Sequence, residues 1–560
     1  MTPSFPRHER TLFVVEQQGT RGRLTYLLCE AGFTDFEVQP TYGALFDLPE
    51  DRLAIDPVSL RATDYEAQDP LVASRLRALA SEAKRVFVMT DADRQGEFIA
   101  AQVRELCPQK PLIRLRLRDL SAEALRRALR EPGEIDEGAA TAGTVRRIVD
   151  RIIGYGFSTP RLSWHVGIVG RVRTAALAAF QHRAVGCGEW SGQLSGGLEA
   201  RGTITNRSWH EAQRIEVLLC HSHREITRLP RERMSLGITP PGPCTFADAL
   251  LEGRRRLGIP TRTGERLLQE AYQKGTLSYI RSDSAHLSPK ARAIGLQLAR
   301  ASNLAIAPDP DAIHRLPTDG RRPRRAHDAL HPTYLVDLAL DPSAQSSSDG
   351  LLTLIGRRLA ASLAEPVTME RERISPSALR QFLSDRLGES ASEVDFQLER
   401  DLSPPPPWMQ WLKRRDNPCP PRVEWYGGDA TALSFLSESQ FGRPSTQLRF
   451  VTSLIEDGFV NSHGNVTPLG QQALDYARVR APFLLDPSRI GAVEALLDQN
   501  TSTSIPELTF KMCDLIGLPL ELAQAAISEW YAERSLPLPE RLRLSHGQIN
   551  EANTSWTFIG

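Results

Sequence analysis

Cysteine is sparse in this chain and never paired at short spacing. The seven cysteines (Cys29, Cys107, Cys187, Cys220, Cys244, Cys419 and Cys513) include no Cys-x-x-Cys. Neither a zinc ribbon nor a disulfide framework is supported, and a reducing cytoplasm fits such usage. Long apolar runs are missing too, since no stretch approaches the roughly 20 residues that cross a bilayer. The N-terminus, with Pro3, Pro6, Arg7, His8, Glu9 and Arg10, lacks the apolar centre of a signal peptide. No Gly-x-x-x-x-Gly-Lys-Ser/Thr occurs, so a P-loop nucleotide site is not indicated. Charge of one sign is not in excess either. The 68 basic residues match 68 acidic ones, which gives no bulk pull toward nucleic acid. There is no fixed-period repeat.

What is present is an ordinary globular composition, 41% hydrophobic and 24% charged, over 560 residues. That length exceeds one core, and about three to five domains or lobes follow. Arginine far outnumbers lysine and clusters at Arg114/Arg116/Arg118, Arg146/Arg147/Arg151, Arg171/Arg173, Arg254–Arg256 and Arg321/Arg322/Arg324/Arg325. The planar guanidinium suits bidentate phosphate contacts, although a codon bias toward arginine on solvated helix faces gives the same pattern.

The first part of the chain reads as α/β. Leu12–Val15 is a short buried-strand run ending at Glu16, with a helical stretch over Arg23–Leu28. Val86–Met89 is a second such run, ending at Thr90-Asp91-Ala92-Asp93 before a helix through Phe98, Ile99 and Val103. Leu112–Leu117 gives a third strand, and Ser121 caps a helix. The alternation predicts a mainly parallel sheet with helices on both faces. From Ala139 to Gln181 the pattern is helical, with a break around Ser158-Thr159-Pro160. A strand-like stretch follows between about Cys187 and Met234, then a helical region through Asp337. Asp341–Gly350 reads as a surface loop and Pro404–Pro407 as a stiff break. A helix runs from the Gly442–Thr446 cap through Leu454, and a small hairpin and turn spans Gly458–Gly470.

Two groups of residues carry chemistry. Two strands deliver carboxylates at their C-terminal ends, Glu16 from one and Asp91 with Asp93 from the other. That edge of a parallel sheet is where ligands bind, and such oxygens suit a hard cation like Mg²⁺. Thr90, Asp91 and Asp93 are also of the type that caps the following helix, but acidic ends on two strands favour the metal. The second group is Tyr279-Ile280-Arg281-Ser282-Asp283-Ser284. On an extended segment Tyr279 and Arg281 point to one side, a phenol nucleophile beside a cation that steadies a phosphate.

In order and in kind these residues resemble the type IA DNA topoisomerases. Leu12–Glu16 with Tyr42–Pro49 looks like the start of their Toprim domain. Thr90-Asp91-Ala92-Asp93-Arg94-Gln95-Gly96-Glu97 is similar to its Thr-Asp-x-Asp-Arg-Glu-Gly-Glu signature. Arg146–Tyr155 with Gly170-Arg171-Val172 resembles the helical DNA-binding segment. Tyr279–Ser284 matches the active-site motif, Ala326–Thr333 resembles Ala-His-Glu-Ala-Ile-Arg-Pro-Thr, and Gly442–Thr446 matches Gly-Arg-Pro-Ser-Thr. Six motifs run in family order from about residue 12 to 500.

The resemblance implies a mixed α/β and α multidomain toroid. Its parts would be a Toprim domain (1–138), a helical DNA-binding domain in two pieces (139–185 and 419–500), a β-rich hinge in two pieces (186–240 and 341–418), a mobile helical domain with the tyrosine (241–340) and a C-terminal extension (501–560). It implies that Tyr279 attacks single-stranded DNA to give a 5′-phosphotyrosine, with Arg281 on the scissile phosphate. Glu16 would serve acid–base catalysis near the leaving 3′-oxygen and share in Mg²⁺ binding. Asp91 and Asp93 would hold Mg²⁺, and His327 would orient groups around Asp93. Arg114, Arg146, Arg147, Asp150, Arg171, Arg173 and Ser284 would contact DNA. No ATP is required. The substrates implied are single-stranded DNA and negatively supercoiled or catenated duplex, in the cytoplasm, with replication or mobile-element proteins as further partners. The alternative is a cleavage-weak single-stranded DNA clamp within a larger complex.

Some positions depart from the family pattern. Gln95 stands where the family has a third acid, and the expectation is weaker Mg²⁺ binding that Gln95→Glu would restore. The catalytic lysine has no counterpart in Glu16-Gln17-Gln18-Gly19-Thr20, where Arg21 or Arg23 is the nearest cation. Arg173 replaces a Gln, His331 replaces an Arg, and the C-terminal zinc ribbons are absent.

Overall fold

The structure is a computed structural model that describes residues 5–158, 167–182, 186–309, 328–389, 391, 394–412, 418–426, 428–438, 444–461, 464–486, 488–500 and 504–536. The chain divides into two compact units. One comprises Met1–Ala179, Gln273–Gly275 and Leu469–Gly560; the other comprises Phe180–Tyr272 and Thr276–Pro468.

The first unit is built on a four-stranded sheet in the order Phe36–Pro40, Thr11–Val15, Arg85–Val88, Leu112–Arg114. All three pairings are parallel, as the strand–helix alternation predicts. Alternate side chains leave opposite faces. Leu12, Val14, Val86 and Val88 share a core with Leu76 and Ala80 of the helix Pro70–Glu82 and with Phe98, Ile99 and Val103 of the helix Arg94–Leu106. Phe13 pairs with Phe87 in register, and their rings stack at 5.0 Å. Phe33, just past the helix Gln18–Glu30, meets Phe13 edge-on at 5.2 Å. Each such ring pair adds about 0.5–1.5 kcal/mol beyond area burial.

The 20-residue helix Glu137–Gly156 forms the second layer of this unit. Asp136 caps it by accepting from the Ala139 amide at 2.9 Å. Its Val145, Ile148, Val149, Ile152 and Ile153 lie in one core with Leu508, Met512 and Ile516 of the helix Ile505–Ile516 and with Ala523, Ile527 and Trp530 of the helix Leu520–Glu533. Residues set apart in the sequence as an extension are therefore part of a core whose other half lies some 360 positions earlier. Their apolar residues at helical spacing need such a partner.

The second unit holds two antiparallel sheets. The larger has the order Arg231–Ile238, Val367–Ile374, Gln397–Asp401, Leu198–Arg201, Gln193–Leu194. The smaller runs Thr203–Thr205, Gly186–Ser191, Arg422–Trp425. The stretch read as strand-like from Cys187 to Met234 also contains a helix, Trp209–Ile226. Its buried Ala212, Ile215, Leu219 and Ile226 follow helical spacing, and Thr205 with Ser208 closes a capping box just ahead of it. Asp341–Gly350 is likewise more ordered than a loop. The Ser346 hydroxyl accepts from the Asp349 amide at 3.2 Å and starts the helix Ser347–Ala361. Helices Phe246–Leu257, Thr261–Gln273 and Pro289–Ala301 surround the tyrosine segment in sequence, and Pro444–Glu456 matches the expected helix after Gly442–Thr446. Among the described residues no helix is long and apolar enough to cross a membrane.

Candidate active site

Sheet register brings the first acidic group to one edge. Val14 pairs with Val88, and the Met89 amide donates to the Val14 carbonyl at 2.7 Å. Glu16 thus leaves the sheet level with Thr90, one residue before Asp91. Glu16 is buried; Asp91 and Asp93 are partly so. Asp93 Oδ1 accepts from the Gly96 amide at 2.8 Å and caps the helix Arg94–Leu106. Thr90 Oγ1 donates to the Gly96 carbonyl at 2.7 Å and closes the turn from the other side. Only glycine fits at 96, because a Cβ there would lie 1.8 Å from the Asp91 carbonyl oxygen.

Beneath this turn lies a buried ion group. Arg114 is 1% exposed, and its guanidinium donates to the carbonyls of Val88, Thr90, Asp91 and Leu115 at 2.8–3.1 Å. Its Nε donates to Glu97 Oε1 at 3.1 Å. Arg116 adds donors to Glu97 at 2.8 and 3.0 Å, and the Asp136 amide adds another at 2.9 Å. Burial alone would raise the Glu97 carboxyl, but Arg114 and Arg116 with the Asp136 amide hold it below the usual carboxylate range. Glu97 therefore ties the turn to the start of the helix Glu137–Gly156. The expectation that Arg114 contacts DNA is corrected: every donor it has is committed inside the fold, where it shapes the Thr90–Asp91 turn.

Gln95 also turns to an arginine. Arg147 Nη2 donates to Gln95 Oε1 at 3.2 Å and its Nε donates to Asp47 at 2.9 Å. The guanidinium lies over the Phe98 ring, 4.1 Å from its centroid. Arg146, Asp150 and Arg171 join a further group that sequence reasoning missed in part. Arg171 donates to Asp150 at 2.8 Å and to Glu494 at 3.4 Å, and Arg146 stands 3.5 Å from Asp150. Arg94 completes it with Glu494 at 2.8 Å and Asp498 at 3.3 Å. Burial alone would lower the Arg171 guanidinium; Asp150 and Glu494 hold it above its ordinary value. Arg171 is buried in this network, so its expected DNA contact is also corrected. The signal for Glu494 was present in the sequence: it is one acid on the buried face formed by Ile490, Val493 and Leu497. Arg173, on the same helix as Arg171, is half-buried.

In the second unit the Tyr279 segment lies outside helix and strand, bends at Ile280 and Arg281 where the sequence led to an extended run, and is clamped on both sides. Leu277 bridges Pro332, the Ser278 amide donates to the His331 carbonyl at 3.0 Å, and the His331 amide donates to Ser278 Oγ at 3.0 Å. On the other side the Phe246 amide donates to the Ser282 carbonyl at 2.9 Å. Tyr279 is 4% exposed, with its ring edge-on to Tyr272 at 5.7 Å. Arg281, two residues on, is partly exposed. Burial raises the Glu265 carboxyl on the helix Thr261–Gln273, against the pull of Arg281 and Arg262. Ser284 is buried, and its hydroxyl accepts from the His286 amide at 3.0 Å. His331 is buried behind Ser278, with Nδ1 2.9 Å from the Ala329 carbonyl. His327 and the arginines at 321–325 lie outside the described residues.

Among the described residues no group of three or more His, Cys, Asp or Glu side chains stands close enough to hold a metal ion. The donors at the sheet edge are all carboxylate oxygens, and Asp93 spends Oδ1 on its cap. Such a set fits a hard cation that keeps most of its own waters, rather than one needing a protein cage.

Two family models match the chain: one described as DNA topoisomerase over residues 134–387, and the Toprim domain over residues 11–117. The chain is 25% identical to DNA topoisomerase 1 of Aquifex aeolicus over 541 residues, covering 87% of this chain and 94% of that one. It is 24% identical to DNA topoisomerase 1 of Treponema pallidum, covering 83% and 70%. A reverse gyrase of Pyrococcus furiosus is 27% identical, covering 78% of this chain and 36% of its own. Full-length topoisomerase I of Thermotoga maritima has a similar fold, with a TM-score of 0.60 at 18% identity over 94% of this chain and 89% of that one.

Proposed function

The chain belongs to the type IA DNA topoisomerase family, and from that premise we propose that it cuts and reseals single-stranded DNA through Tyr279. The observation that carries this reading is that the Tyr279–Arg281 segment is held at both flanks by backbone bonds, from Phe246 to Ser282 on one side and from Ser278 to His331 on the other. A fixed backbone holds a phenol and a guanidinium at constant spacing, which a phosphate transfer requires.

Tyr279 Oη gives up its proton to solvent as it attacks the phosphorus, and the bond to the 3′-oxygen breaks, leaving a 5′-phosphotyrosine; on resealing the departing phenolate takes a proton back from solvent. Arg281 balances the charge that grows on the non-bridging oxygens. Glu16 gives a proton to the departing 3′-oxygen and recovers it on resealing. One phosphoester replaces another at each step, so ATP is not consumed. Asp91 and Asp93, with Glu16, would hold Mg²⁺, which supplies positive charge beside the phosphate when bound. Strand passage through the transient break relaxes or decatenates DNA. A clamp without cleavage is not favoured, since it has no chemical need of Tyr279 beside Arg281.

The test is Tyr279→Phe. The variant should form no covalent adduct with a labelled oligonucleotide on a denaturing gel, while single-strand affinity stays within about twofold, because one oxygen is lost. An adduct that survives in the Phe variant would remove Tyr279 from the chemistry.

A further inference from the structure

The first two strands continue to pair past their last residues. The Thr41 amide donates to the Val15 carbonyl at 2.8 Å, and the Tyr42 amide donates to the Glu16 carbonyl at 2.9 Å. Tyr42 is thus fixed through its backbone to the residue given the acid–base role above. Its backbone is left-handed, with φ 58°, and Gly43 follows at φ 105°. A bulky aromatic is a poor choice for that conformation, which glycine or asparagine adopts with far less strain. Burial does not offset the strain, because Tyr42 remains 62% exposed. The ring is nonetheless oriented, since its hydroxyl donates to Gln18 Oε1 at 3.2 Å. The space beside it is open: a Cβ built at Gly43 would meet nothing within 4 Å.

A strained, exposed and oriented aromatic at the ligand-binding edge of a sheet needs a use outside the fold. Charge is not what it offers. It offers a flat π face, to which any nucleobase can stack without sequence preference. We propose that Tyr42 is a base-stacking platform, which seats one nucleobase of the single strand at the Glu16 edge and so sets the register of the strand. The proposal rests on the topoisomerase reading above and names a contact to the substrate of that same site.

Tyr42→Gly separates the platform from a structural role, because glycine suits the left-handed backbone and removes only the ring. The full chain is titrated into a single-stranded oligonucleotide carrying 2-aminopurine, whose fluorescence falls on stacking, and the covalent adduct is followed on a denaturing gel. Tyr42→Gly should melt no lower than wild type yet bind about tenfold more weakly and lose the quench, as removal of a stacking aromatic does. Tyr42→Phe should keep both affinity and quench. If the glycine variant binds and quenches like wild type while wild type forms its adduct, the platform is refuted and the topoisomerase reading stands. If wild type neither binds the oligonucleotide nor forms an adduct, both fall. A glycine variant that only melts lower would show Tyr42 to be structural and would overturn the proposal.

Discussion

Arg147 Nη2 donates to Gln95 Oε1 at 3.2 Å, so the residue that departs from the family's acidic triad faces a cation of the protein itself. The sequence leads one to expect that an acid at 95 would tighten Mg²⁺. The geometry changes that expectation, because Arg147 would meet a new carboxylate first. Gln95→Glu should therefore leave the Mg²⁺ concentration for half-maximal relaxation within about twofold. It should raise the melting temperature slightly, since a charge-assisted bond replaces a neutral one and is worth up to about 1 kcal/mol here. A magnesium titration alongside a thermal melt checks both. A several-fold fall in half-saturation would show that residue 95 reaches the ion.

Arg114→Ala should cost about 1–3 kcal/mol in urea unfolding, because it frees the buried carbonyls of Val88, Thr90 and Asp91 and leaves Glu97 to Arg116 and the Asp136 amide alone. Arg114→Lys should recover little, since one ammonium cannot reproduce the fork. A folded, undiminished Ala variant that has lost DNA affinity would return Arg114 to the interface.

The parallel sheet and its acidic edge followed from Leu12–Glu16 and Val86–Asp93, because strand and helix periods are local. The helix Trp209–Ile226 was hidden by neighbouring strand-like segments. The partnerships of the arginines were not legible at all. Arg94 and Glu494 are 400 residues apart in sequence, and nothing local distinguishes an arginine that waits for a phosphate from one already paired. Arg114 and Arg171 were misread for that reason, and the pairing of Arg147 with Asp47 and Gln95 left no local mark either.

Glu97 sets part of the acid stability. Its folded pKa lies below that of the unfolded chain, so its contribution is present above the unfolded carboxylate range and is lost as pH falls through the lower folded value. Glu97→Gln should destabilise the protein near pH 7 and flatten the loss of stability below about pH 4. Urea melts of both proteins across that range decide it. Equal slopes would mean that the carboxyl is not held by Arg114 and Arg116.

Asp93 carries two readings, a helix cap and a ligand for Mg²⁺, and a pair of variants separates them. Its Oδ1 accepts from the Gly96 amide at 2.8 Å, a bond that an asparagine carbonyl can also accept. Asp93→Asn should therefore keep the melting temperature measured without metal close to wild type. It should also remove a negative charge at the edge beside Asp91 and Glu16, and so lose most Mg²⁺-dependent relaxation. Asp93→Ala should lose the same activity and in addition about 1 kcal/mol of stability, the usual worth of a cap. Added Mg²⁺ should raise the melting temperature of wild type and of neither variant. If Asp93→Asn relaxes plasmid with the magnesium dependence of wild type, Asp93 is a cap alone, and the cation must be sought at Asp91 and Glu16.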